Sequence, residues 1–254
     1  MIQLPVPAAT NRDILIFQLA NDEILVVGCD SSGGVGTKPL DKIRVDGYTL
    51  GKFIARVALM EVLSVGAIPV CIVNTLSVEP APLGAEILRG VRAEAEKAGL
   101  DPQLAVTGST EKNFQVEQTG MGVTVIGIGR RGTLKIGVSQ PNDIVVAVGV
   151  PCVGNEVIPA ENMPMIADIT DVLKLRGLSS IHEIIPVGSK GIAHEIDVLA
   201  KDSKLKFKLM DKTEVDLKKS AGPATVVLAS LQASELEELK SSVTKPVSII
   251  GQLF

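Results

Sequence analysis

An apolar run, Ile24 to Val27, opens directly onto Gly28-Cys29-Asp30-Ser31-Ser32-Gly33-Gly34-Val35-Gly36-Thr37-Lys38. The run reads as a buried strand, and the strand ends in an acid. Three glycines in four positions then let the backbone approach a bulky anion and take positive φ. Asp30 offers a hard oxygen ligand for Mg²⁺, and Lys38 offers a point charge for phosphate. Acid, glycines and lysine together point to a metal-nucleotide site. The spacing is neither that of the P-loop nor that of the dinucleotide fingerprint. The competing reading is a glycine-rich hairpin with a solvated lysine.

What flanks this stretch reads as alternating strands and helices. Ile14–Leu19 and Glu23–Val27 form a hairpin around Ala-Asn-Asp, with Asp13 just before it. Leu50, Ile54, Val57, Ala58, Met60 and Leu63 recur at spacings of three and four, which predicts a helix from about Asp46. Gly66-Ala67-Ile68-Pro69 stops it, and Val70–Leu76 reads as a fully buried strand. A second helix covers about Gly84–Ala98, capped by Gly99. Leu104–Thr107 reads as a short strand, Gly108–Asn113 as a polar loop and Val116–Gly129 as a strand. The stretch from Gly129 to Asp143 reads as a boundary, dividing the chain into 1–132 and 133–254. The second part is predicted to contain strands at Ile144–Val150, Ile181–Val187, Phe207–Leu217 (exposed and charged), Val226–Ala229 and Val247–Ile250. Its helices fall at Asp168–Arg176, Ile192–Lys201 and Glu235–Ser242, and Pro151–Pro164 reads as irregular. The fold class is thus α/β.

Composition narrows the function. Of 254 residues 46% are hydrophobic, enough for a sizeable core, while aromatics make up only 2% and tryptophan is absent. Few aromatics argue against stacking on single-stranded nucleic acid. The net charge of −4, without any basic run, argues against sequence-independent DNA binding. No stretch has the length and composition of a membrane span or a signal peptide, so a soluble cytoplasmic protein is expected. Cys29, Cys71 and Cys152 lack metal spacing and are expected as buried free thiols. No CxxC, HExxH or Ser-His-Asp arrangement is present.

Taken together, the motifs resemble the superfamily of aminoimidazole ribonucleotide synthase, thiamine-monophosphate kinase, selenophosphate synthetase and the nickel-iron hydrogenase maturation factor. Asp30 to Lys38 resembles the synthase's Thr-Asp-Gly-Val-Gly-Thr-Lys, with an insertion after the acid. Glu61-Val62-Leu63-Ser64-Val65-Gly66-Ala67-Ile68-Pro69 resembles the family's Asn-Asp or Ser-Asp helix, with Glu61 in the place of the aspartate. Thr107-Gly108-Ser109-Thr110 resembles the Gly-Gly-Asp/Glu-Thr loop. Gly188-Ser189-Lys190-Gly191-Ile192 and Ser220-Ala221-Gly222-Pro223-Ala224 resemble two later turns. The sequence departs at Asn11-Arg12-Asp13, where the family has Gly-Asp-Asp, at Ser109, where it has an acid, and at Lys190. The resemblance implies a two-lobed fold. Its amino-terminal mixed sheet forms a barrel across a homodimer, an α/β carboxy-terminal lobe packs beside it, and ATP lies in the cleft.

The implied chemistry is phosphoryl transfer, which needs charge neutralisation and in-line placement. Asp30 and Lys38 are the candidate catalytic pair. Gly33, Gly34, Gly36, Thr37, Gly108, Ser109 and Thr110 are candidates for holding ATP. Asp13, Asp30, Asp46, Glu61 and Glu111 are candidate Mg²⁺ ligands, although Asp46 serves equally as a helix N-cap and Glu111 as an exposed loop residue. Asn74, Lys190 and His194 are candidate substrate contacts. The expected activity is an ATP- and Mg²⁺-dependent small-molecule kinase. The short amino terminus, the Ser-Ser-Gly-Gly-Val-Gly-Thr loop and Thr-Gly-Ser-Thr-Glu-Lys-Asn look most like the α-ribazole kinases, which phosphorylate the nucleoside of the cobamide lower ligand. Alternatives are a ligase similar to aminoimidazole ribonucleotide synthase, a thiamine-phosphate-kinase-like enzyme, and a non-catalytic nucleotide-binding dimer.

Overall fold

A computed structural model describes residues 7–8 and 10–254. The chain divides into two compact units. The first comprises residues 7–8, Asp13–Val62 and Ala67–Arg131; the second comprises residues 10–12, Leu63–Gly66 and Gly132–Phe254.

The first unit carries the strands β1 (Pro7–Ala8), β2 (Ile14–Gln18), β3 (Glu23–Gly33), β4 (Val35–Gly36), β5 (Ile43–Arg44), β6 (Ile68–Leu76), β7 (Val106–Thr110) and β8 (Gly120–Arg130). Its helices are α1 (Gly47–Ser64), α2 (Ala85–Lys97) and the single turn α3 (Pro102–Ala105). Six strands form an open sheet in the order β1-β2-β3-β8-β6-β7, and β4 pairs with β5 separately. β6 and β7 run parallel, joined through α2, while the other neighbours in the sheet are antiparallel. One face of the sheet is buried through Ile14, Ile16, Ile24, Val26, Ile72, Val123 and Val125. The helical spacing in α1 buries Leu50, Ile54, Ala58, Leu59 and Leu63. Each such leucine or isoleucine contributes about 1.5–3 kcal/mol. Two glycines let α2 approach α1. A Cβ on Gly51 would fall 2.0 Å from the Ile87 carbonyl oxygen, and one on Gly90 2.1 Å from that of Tyr48.

Four expectations are corrected here. The stretch from Gly28 to Gly33 is not a turn but the second half of β3, paired residue by residue with β8 as far as Gly33↔Gly120. Cross-strand pairing decides its conformation, not its glycine content. The run Val70–Leu76 lies in a strand that alternates, with Ile68 and Val70 exposed and Ile72, Asn74 and Leu76 buried. Cys29 is exposed, because it points away from the face that Gly28 and Asp30 share. Finally, the strand expected at Leu104–Thr107 begins at Val106 and continues through Thr110 into the expected polar loop, because Asp101 caps the α3 turn ahead of it.

The second unit contains β9 (Ile144–Val148), α4 (Val157–Asn162), α5 (Ile169–Gly177), β10 (Ile181–Pro186), α6 (Ile192–Asp202), β11 (Phe207–Leu209), β12 (Val227–Leu231), α7 (Leu236–Ser242) and β13 (Val247–Leu253). Its five strands are antiparallel in the order β10-β12-β9-β13-β11. All five residues of β12 are buried, so both faces of this sheet are covered at its centre. On one side Val145, Ile185, Leu228 and Ile250 pack with Ile192, Ile196 and Leu199 of α6. The exposed strand expected over Phe207–Leu217 shrinks to Phe207–Leu209, the only part that pairs with β13. α4 occupies a stretch expected to be irregular. Arg12 is buried in this unit. Its guanidinium donates to Asp202 at 2.9 Å, to the Ile184 carbonyl at 3.0 Å and to the Glu183 carboxylate. Glu183 also accepts from the amides of Gly137, Val138 and Ser139. Asn11-Arg12 thus ties a terminal segment into the second sheet. Among the described residues no helix is long and apolar enough to cross a membrane.

Candidate functional site

Sheet register gathers motifs that lie far apart in sequence. Asp30 pairs with Val123, Val123 with Asn74, and Asn74 with Gly108. The four residues therefore form one rung across β3, β8, β6 and β7. The next rung on the same face holds Ser32, Met121, Leu76 and Thr110. With strands about 4.8 Å apart, Asp30 lies about 10 Å from Asn74 along the rung and about 14 Å from Gly108. Glu61 joins from α1: its Cβ stands 3.3 Å from where a Cβ on Gly28 would be. Gly28 and Asp30 share a face, so Glu61 and Asp30 belong to the same side of β3.

Burial raises the Asp30 carboxyl from 3.8 to about 6, against a smaller opposing pull from the Ser31 backbone hydrogen bond. A desolvated carboxylate of this kind gains from a bound cation. Among the described residues no three Asp, Glu, His or Cys side chains form a metal cluster. Mg²⁺ needs less than that, since it commonly uses one or two carboxylates, substrate phosphates and water. On this face the chain supplies one desolvated carboxylate, Asp30, with the α1 residue Glu61 packed beside the same strand.

The glycine loop after β3 is pinned. The Gly34 amide donates to the Thr119 carbonyl at 2.8 Å, and the Lys38 amide to Asp41 Oδ2 at 2.8 Å. Asp41 also accepts from the Thr119 amide at 2.8 Å and from its hydroxyl at 2.6 Å. Burial alone would raise the Asp41 carboxyl, but the Thr119 and Lys38 hydrogen bonds outweigh it and hold the group below its usual range. Gly36 sits inside this knot with φ +150°, and a Cβ there would meet Thr119 Oγ1 at 2.5 Å. Lys38 Nζ meets Glu79 Oε2 at 2.5 Å, while Glu79 Oε1 accepts the Val116 amide at 3.1 Å. Sequence reasoning missed Asp41 and Glu79. The acid three residues after Lys38 was the available signal for Asp41; Glu79 offered none.

The remaining candidates lie elsewhere. Asp46 caps α1, with Oδ1 accepting the Thr49 amide at 2.8 Å and Oδ2 its hydroxyl at 2.9 Å. Glu111 Oε1 accepts the Asn113 amide at 2.7 Å. Asp13 is exposed one residue before β2, and Ser109 is exposed on the sheet face opposite Asn74. Gly33 and Thr37 are exposed at the two ends of the pinned loop. In the second unit Lys190 Nζ lies 3.4 Å from His194 Nε2, on the turn into α6.

Residues 11–129 match the family model described as AIR synthase related protein, N-terminal domain. Among curated proteins none matches the sequence. In fold the chain is similar to thiamine-monophosphate kinase from Stenotrophomonas maltophilia K279a, with a TM-score of 0.65, 17% identity, and coverage of 97% of this chain and 88% of that one. It is also similar to AaThiL complexed with AMPPCP and TMP (TM-score 0.63, 13% identity, 95% and 84% covered). A third similar structure is the hydrogenase maturation protein HypE in complex with ATP (TM-score 0.63, 17% identity, 90% and 76% covered).

Proposed function

Residues 11–129 form an amino-terminal domain of the AIR synthase-related superfamily, and on that premise we propose that the protein is an ATP- and Mg²⁺-dependent phosphotransferase acting on a small metabolite. The observation that carries this reading is the rung joining Asp30, Asn74 and Gly108, with Glu61 on the Asp30 side. It brings a desolvated acid and the Gly108-Ser109-Thr110 backbone to one end of a sheet. In this reading Asp30 and Glu61 hold the cation, which neutralises charge on the transferred group. The pinned loop Gly33–Lys38 and the Gly108–Thr110 strand end face the polyphosphate. Lys38 reaches phosphate by exchanging its Glu79 partner for it. Fold relatives that bind AMPPCP and ATP support the nucleotide.

The acceptor proposed here is α-ribazole, converted to its 5′-phosphate. That assignment follows the resemblance of Ser31–Thr37 and Thr107–Asn113. The active species is proposed to be a homodimer. The exposed face of the amino-terminal sheet carries Leu15, Ile68, Val70 and Ile128, all at least 40% exposed in the single chain. Ile68 pairs directly with Ile128, so these side chains form a continuous apolar surface of the kind that marks an interface.

ADP release in the presence of Mg²⁺, measured over a panel of nucleosides that includes α-ribazole, tests this reading. Turnover with α-ribazole, lost in Asp30→Asn, is the expected result. Nucleotide binding without turnover on any acceptor would instead favour a non-catalytic nucleotide-binding dimer, the reading that Ser109 in place of an acid supports.

A further inference from the structure

The second unit holds a cavity of about 190 Å³ whose wall includes Gly66, Thr133, Lys135, Arg176 and His182. All five residues belong to that unit. Lys135 and Arg176 bring two positive charges, and no lining residue is a carboxylate. The two acids beside His182 are already engaged. Glu183, its neighbour on β10, serves Arg12 and the amides of Gly137, Val138 and Ser139. Asp143 is wholly buried and accepts from the Gln140 amide at 2.7 Å, from Gln232 Nε2 at 2.8 Å and from His182 Nδ1 at 2.7 Å. A carboxylate only accepts, so Nδ1 carries the proton of that bond. Asp143 thereby fixes the ring and leaves Nε2 on the edge away from it.

The wall is held in place by the chain itself. The Lys135 amide donates to the Val65 carbonyl at 3.0 Å, and Arg176 Nη2 donates to the Gly66 carbonyl at 3.2 Å. Gly66 has φ +90°, and a Cβ there would lie 2.8 Å from the Thr133 carbonyl oxygen and 3.6 Å from Lys135 Cγ. Only glycine lets the segment carrying Lys135 come this close. Two cations confined to one small cavity repel until an anion joins them. Burial also holds the Arg176 pKa below its usual value, a penalty that a bound anion offsets.

Size and charge define the ligand. Sites for drug-sized molecules measure about 300–1,000 Å³, so this cavity suits a small ion or the end of a small molecule. Two cations call for two negative charges on one compact group. A phosphoryl group carries about two charges at neutral pH on three acceptor oxygens, and the arginine fork takes such oxygens in pairs. A dicarboxylate spreads the same charge over a longer body. His182 serves hydrogen phosphate in either state: an imidazolium donates from Nε2, and a neutral ring accepts from the P–OH.

We propose that this cavity binds orthophosphate, or the phosphoryl group of a small phosphomonoester, between Lys135, Arg176 and His182. It shares no residue with Asp30, the Gly33–Lys38 loop or Gly108–Thr110. The pocket stands whether or not the protein transfers phosphate.

Calorimetric titration of the full chain with orthophosphate, without nucleotide or other multivalent anions, tests it. The wild type is expected to bind. Lys135→Gln and Arg176→Gln should each raise the dissociation constant about tenfold, the effect of losing a charge-assisted hydrogen bond. Lys135 is exposed, so its variant keeps the test valid should Arg176→Gln fail to fold. Orthophosphate should bind as well with Mg-AMPPCP present as without it. Glycerol 3-phosphate separates the two sources: displacement of orthophosphate assigns the pocket to an esterified phosphoryl group, and failure to displace it assigns the pocket to the free ion. Absence of binding in the wild type, unchanged affinity in both variants, or displacement of orthophosphate by Mg-AMPPCP overturns the proposal.

Discussion

Asp30 carries opposite demands. Its folded-state carboxyl titrates near 6 against 3.8 for the ordinary group, because burial penalises the charge. A raised acid contributes stability that is complete below about pH 3.8 and is lost as the pH climbs to about 6. Above that, the ionised group costs the ligand-free protein on the order of 1–2 kcal/mol after allowance for partial solvation. Asp30→Asn should therefore raise the melting temperature at pH 7.5, leave it unchanged at pH 3.8 and cut turnover by orders of magnitude. Calorimetric melts at the two pH values with a parallel ADP assay check this; a variant that melts lower at pH 7.5 would deny the buried charge. The same titration predicts a second trend. Cation binding competes with the proton, so the Mg²⁺ needed for half-maximal nucleotide binding should rise as the pH falls through about 6. Asp30, Glu61 and Gly108 were legible as residue types in family-like order. Glu79 was not, because its exchange with Lys38 and the Val116 amide joins segments far apart in sequence.

At the scale of elements, the pinned loop is the part most open to attack. Gly36 fits between Thr119 and Asp41 only without a side chain, with Asp41 Oδ2 2.9 Å from the place of a Cβ. Gly36→Ala should break the Thr119–Asp41 hydrogen bond and strain a backbone at φ +150°, costing about 1–3 kcal/mol. It should also weaken nucleotide binding. Urea unfolding and calorimetry measure both, and a midpoint equal to wild type would mean the knot holds nothing. Helices α1, α2, α5 and α6 were legible because three- and four-residue spacing and glycine stops are local signals. The second half of β3 was not. Its Asp-Ser-Ser-Gly sequence favours a turn, and only the eleven-residue partner β8 keeps it extended. Rung alignment of Asp30, Asn74 and Gly108 was equally hidden, since register is set between strands and not within them.

For the whole molecule, the unanswered demand is the apolar face of the amino-terminal sheet. Leu15 pairs with Val27 and Val27 with Ile126, while Leu25 pairs with Ile128 and Ile128 with Ile68. Two adjacent rows of apolar side chains thus cross the face that α1 and α2 leave uncovered. Ile68 is 62% exposed and Leu15 51% in the single chain. Solvating such a surface is unfavourable at about 25 cal/mol per Å² of apolar area, so covering it by a second copy is the direct remedy. Light scattering should give twice the chain mass of 26.6 kDa. Ile68→Lys combined with Ile128→Lys sets two like charges against each other within each chain, and against the partner across the contact. That variant should be monomeric yet retain its helical circular dichroism, because neither side chain contributes to the buried core. If activity survives in the monomer, each chain completes its own site. If activity is lost while nucleotide still binds, the partner supplies part of the cation shell proposed around Asp30 and Glu61. A monomeric wild type would show that no second copy covers this face and leave the paired apolar rows without a physical purpose.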